Sequence, residues 1–147
     1  MTWWRALGCA LVLATAGCNG GNGDDFMDEA NAVCTDYDAR IGGLATPRSL
    51  SELAESTERI AELIEEGTAK LWKLVPPDSD GGDFGVWLHL NETAALNARR
   101  LSKAAAAGER ERVVVLAERA RETEAEADAL AEELGLGDCL IGEPRSP

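Results

Sequence analysis

The sequence predicts an all-α protein, an antiparallel up-down four-helix bundle. Three observations lead there: apolar residues recur at three-and-four spacing in four successive stretches, Pro and Gly fall mostly between them, and the connections are short. With 147 residues, 45% of them hydrophobic and 28% charged, the chain can build one core and is too apolar for a disordered polymer. No apolar run is long enough for a membrane-spanning helix.

The first segment, about 25–44, places Phe26, Ala30, Val33, Tyr37, Ile41 and Leu44 on one face with Cys34 beside it, and Gly42-Gly43 loosens its end. In the second, Leu50, Leu53, Thr57, Ile60, Ile64, Gly67, Leu71 and Leu74 keep an a/d heptad spacing. Ser49-Leu-Ser-Glu52 opens it as a capping box, and Pro76-Pro77 stops it because neither residue can donate the next helical bond. Asp83 is the expected cap of a third helix running to about Ala107, whose arc holds Phe84, Trp87, Leu90, Ala94, Ala98 and Leu101, with Asn91 and Asn97 inside it. Gly108 allows a turn into the fourth helix, where Val113, Leu116, Ala120, Thr123, Ala127, Leu130 and Leu134 form a face of mainly small residues. Leu134-Gly135-Leu136-Gly137 has the pattern of a helix C-cap and brings Cys139 to the end of the bundle.

Ahead of these helices, MTWWR carries one cation at Arg5, and Ala6 to Gly17 is small and apolar. This is the layout of a secretory signal peptide over residues 1–17. Its apolar part would rise only about 18 Å as a helix, against a hydrocarbon core of about 30 Å. The segment ends Thr15-Ala16-Gly17-Cys18 and is followed by Asn19-Gly-Gly-Asn-Gly-Asp-Asp25. In this it resembles bacterial lipoproteins, with Ala16, Gly17 and Cys18 on the lipobox pattern and Thr15 where Leu is usual. The resemblance implies a diacylated Cys18 as the mature N-terminus and a flexible tether over 18–25; the helix pattern then leads us to expect a folded domain over 26–141 and a disordered tail over 142–147. Ala14-Thr15-Ala16 is also a small-x-small cleavage site, which leaves soluble secretion as the alternative.

Of the four cysteines, Cys9 leaves with the signal, and Cys18, Cys34 and Cys139 remain. An acylated Cys18 leaves an even pair, so Cys34 and Cys139 are expected to form a disulfide that closes the bundle; two unrelated buried thiols are the alternative. A loop of about 100 residues contributes up to about 4.7 kcal/mol in the chain-entropy model.

The chemistry expected of the chain is sparse. A formal charge of −13 argues against nucleic acid as a partner, because phosphate binding needs clustered cations. His89, the one histidine, lies opposite the apolar arc of its helix near Glu92, without the nucleophile that catalysis needs. Di-iron, haem, P-loop and dinucleotide patterns are absent, so no cofactor is expected. The loop with Asp78, Asp80 and Asp83 is a weak calcium candidate that fails the EF-hand register, and turn chemistry with helix capping explains it more simply. The glutamates of the second and fourth helices, Glu124 among them, read as solvated faces. Trp72 and Trp87 approach each other if the Pro76–Asp83 loop reverses the chain, as a core pair or as the wall of a pocket. Asn97 would then either orient a guest or fix helix register.

In the lipobox residues and the Cys34–Cys139 bracket, the chain is similar to small, Ala- and Arg-rich helical lipoproteins of high-GC bacteria, and no catalytic residue can be carried over from them. The expectation is an extracytoplasmic binding or interaction module, anchored to a membrane by lipid and facing an unidentified envelope protein. A carrier of a small apolar ligand between the helices is the alternative, and an enzyme stands third.

Overall fold

The computed structural model describes residues 21–78 and 80–140. The expected signal peptide, Cys18 and the tail over 142–147 lie outside them. The described residues form four α-helices, α1 (Gly21–Gly42), α2 (Leu50–Leu71), α3 (Gly81–Ala106) and α4 (Arg110–Glu133), then a 3-10 turn, η1 (Gly137–Cys139), with no strand. No described helix is long and apolar enough to cross a membrane.

Local chemistry sets the ends of these helices. α1 begins before the expected residue 25, so residues 21–25, assigned above to a tether, are helical. Asp24 in that first turn sits where the helix dipole favours an anion. At the start of α2 the Glu52 amide donates to Ser49 Oγ at 3.1 Å. The Glu52 carboxylate accepts from the Arg48 amide at 2.7 Å, one residue further back than a capping box implies. α2 ends at Leu71, ahead of the prolines, in turns closed by Lys73 N–H to the Lys70 carbonyl and Leu74 N–H to the Leu71 carbonyl. The cap of α3 is Asp80, not Asp83: the Phe84 amide bonds to the Asp80 carbonyl at 2.9 Å, and Asp83 lies inside the first turn.

Both α3 and α4 end on a glycine with positive φ, Gly108 at 74° and Gly135 at 73°. At each, two amides fold back onto the last turn. Glu109 bonds to the Ala104 carbonyl and Gly108 to that of Ala105, while Leu136 bonds to Ala131 and Gly135 to Glu132. This is the Schellman arrangement, and after α4 it delivers Leu136 into the core with no exposed surface.

Packing runs α1 on α2, α2 on α3 and α3 on α4; the circle closes through η1, which touches both α1 and α4, rather than by α4 lying on α1. Cys34 and Cys139 form the disulfide, with Cα atoms 4.9 Å apart. Asp138 N–H donates to Asn31 Oδ1 at 3.1 Å beside it, tying η1 to α1 a second time. The main core gathers where α1 and η1 meet the other helices: Phe26, Ala30, Leu71, Phe84, Trp87, Leu88, Ala127, Ala131 and Leu136. Phe84 stacks on Trp87 with centroids 5.6 Å apart and takes the edge of Phe26 at 5.0 Å.

Along α2 the buried residues are Ala54, Thr57, Ala61, Leu63, Gly67, Thr68 and Leu71. The heptad face read from the sequence is therefore rotated: Leu53, Ile60 and Ile64 are only half-buried. The cause is size. α3 approaches α2 along its small residues, where Ser102 Oγ donates to the Ala54 carbonyl at 2.9 Å, and Arg99 forks onto Glu65 at 2.7 and 2.8 Å while also bonding Glu58. α1 meets α2 only toward its C-terminal half: Tyr37 lies over Gly67, and Arg40 bonds Glu66 at 2.9 Å.

Candidate functional site

Because α1 covers only part of α2 and its backbone does not come close to that of α4, a partly open cleft of ≈ 200 Å³ is left beside α1. Ile60, Leu63, Ile64 and Leu71 of α2 face Val33, Tyr37 and Ile41 of α1 across it, Trp87 and Asn91 come from α3, and the Cys34–Cys139 disulfide with Leu140 closes one side. The apolar stripe of α2 thus has two uses. Around Ala54 it meets α3, and further along its isoleucines wall the cleft.

Tyr37 is held in place from three directions. Its ring lies against Gly67, where any Cβ would come within 3.1 Å of it, and the Arg40 guanidinium and Lys70 ammonium stand 4.6 and 4.7 Å from its centroid. The Arg40 guanidinium is in turn held further into its charged form by Glu66. Polar groups are few on the cleft lining: Thr68, Asn91, Asp38, Glu124 and Asp138. Asn91 Nδ2 donates to the Trp87 carbonyl at 3.0 Å, which fixes the orientation of its amide.

Glu124 is an exception among the glutamates read from the sequence as mostly solvated faces. It is half-buried on α4, and no hydrogen bond or ion pair joins its carboxylate to another described residue. Burial raises its pKa above the ordinary carboxylate value, Asp128 adds to that, and Arg121 acts the other way. The signal was its place in the sequence: it follows Thr123 and precedes Ala127 by three, at the edge of the α4 stripe rather than opposite it.

The other expected residues are dispersed. Trp87 is in the core and lines the cleft, but Trp72 does not pair with it. Trp72 is 45% exposed and faces His89, ring centroids 5.3 Å apart, while its Nε1 donates to Glu92 Oε1 at 2.9 Å. His89 Nδ1 lies 2.9 Å from Glu92 Oε2, and these contacts, His89 first and Trp72 second, hold the Glu92 carboxyl below the usual range. This surface trio has no hydroxyl or thiol hydrogen-bonded to the imidazole among the described residues. Asn97 is buried away from the cleft and donates to Thr123 Oγ1 at 3.0 Å, a bond across α3 and α4 that fixes their register. Among the described residues no group of three or more His, Cys, Asp or Glu could hold a metal ion, Asp78, Asp80 and Asp83 included.

No family model, curated protein or solved structure matches the chain.

Proposed function

We propose that this chain is an exported binding protein, held to a membrane by a lipid on Cys18, whose helices alternate in direction and whose cleft takes a small apolar group. The cleft carries this reading. It is concave, apolar over most of its lining, floored by Trp87 and supplied with a few polar groups, which is how small-molecule sites are built. Its ≈ 200 Å³ is modest. A cavity of about 150 Å³ takes benzene, so the guest is one ring or a short branched chain, with any larger part projecting outward. This favours the carrier over a module that recognises its partner by surface alone.

The alternating topology is supported by pairs that run in opposite senses along α2 and α3, Ala54 with Ser102 and Trp72 with Glu92. Export is supported by the disulfide, since such bonds persist in oxidising compartments.

The test uses the full chain recovered from an exporting host. Intact mass should show a diacylglycerol on Cys18 that Cys18→Ala removes. Titration with benzyl alcohol, followed by calorimetry and by the Trp87 indole resonance, should saturate with a Kd near or below about 1 mM. Ile64→Phe, which fills the cleft from a half-buried position, should abolish it. A linear, unsaturable response equal in both proteins would reject the cleft as a binding site.

A further inference from the structure

The cleft combines an apolar interior with lining charges of one sign. Its acidic lining groups are Asp38, Glu124 and Asp138, and among the described residues no Lys, Arg or His lines it. The nearby cations have other contacts: Arg40 with Glu66 and the Tyr37 ring, and Lys70 with the same ring. Arg121 acts on Glu124 only through space, without forming an ion pair with it. The molecule as a whole carries −13, so its field repels anions and gathers cations at such an opening.

Glu124 differs from the glutamates that arginines pair. Glu58 and Glu65 are satisfied by Arg99, Glu62 and Glu66 by Arg59 and Arg40, and Glu109 by Arg112. Glu124 instead stands half-buried at the side of an apolar cleft with Asp128 as a like-charged neighbour. Among the described residues no cation forms an ion pair with it, and a guest that brings one relieves its partial desolvation.

Resting on the reading of the cleft as a ligand site, we propose that the ligand is a small amphipathic cation: an apolar body seated among Ile60, Leu63, Ile64 and Trp87, with an ammonium or guanidinium group against Glu124. A carboxylate-bearing guest of the same shape would place like charges together and be rejected.

Three probes of one shape test this: benzylammonium, benzyl alcohol and benzoate, titrated at neutral pH into the oxidised full chain. Benzylammonium should bind at least about tenfold tighter than benzyl alcohol, and benzoate should not saturate. In Glu124→Gln, which keeps shape and removes charge, the ratio of cation to alcohol affinity should fall to about one. Glu118→Gln, an exposed change elsewhere on α4, should keep the wild-type ratio. Equal affinities for cation and alcohol in the wild type overturn the assignment of charge while leaving the cleft reading in place. Failure of all three probes to saturate overturns both.

Discussion

At the scale of single residues, the burial of the Glu124 carboxylate carries a cost in stability. Because burial raises its pKa in the folded chain, it holds its proton to higher pH there than in the unfolded chain. Between the two values the folded state binds more protons, so this group's contribution to stability falls as pH rises and stays unfavourable once both states are ionised. Glu124→Gln should therefore melt higher than the wild type at neutral pH. That gap should close as pH is lowered through the carboxylate range, and thermal melts from about pH 3 to 7 would measure it. A gap independent of pH would mean that burial of the charge is not its cause. Glu92 has the opposite sign, since the contacts with His89 and Trp72 lower its pKa and their small contribution is lost in acid.

At the scale of elements, the junction of α1 and α2 rests on the absence of one carbon. Gly67 is a poor helix former, and replacing it with Ala should favour α2 by up to about 1 kcal/mol. The Tyr37 ring lies 3.1 Å from where the new Cβ would go, with Arg40 and Lys70 also against it. Gly67→Ala should therefore destabilise the wild type, yet stabilise a Tyr37→Ala background, where the site is open. Urea unfolding of the four proteins would show this reversal of sign, and stabilisation in both backgrounds would show that the ring yields. The helices, the Ser49 cap, the glycine endings and the cysteine pair were legible in the sequence because each depends on near neighbours or on counting. The rotation of the α2 stripe was not. Periodicity places Ile60, Ile64 and Ala61 on adjoining parts of one face, but only the partner's approach decides which are covered, and α3 chose the small ones. The cleft was illegible for the same reason, since it exists where α1 falls short.

At the scale of the whole molecule, the large side chains concentrate where α1, η1 and the disulfide meet, whereas the region around Ala54, Ala61, Ala98 and Ala105 is held by small contacts. The Cys34–Cys139 bond joins residues 105 positions apart, near the two ends of the folded region. Its consequence is mechanical. A pull applied at the two ends of the chain enters at Cys34 and leaves at Cys139, passing directly through the sulfurs while α2, α3 and α4 hang off the line of force. With the bond intact, stretching can release only the chain outside the bracket, beginning with the part of α1 that precedes Cys34. Reduction should release roughly 350 Å more, at about 3.3–3.6 Å per residue, in a later step of single-molecule extension traces. Release of that length from the oxidised protein would show that the bond is not formed in solution. Tension between the two ends of the chain would thus straighten the flanks of the protein and leave the helices inside the bracket slack.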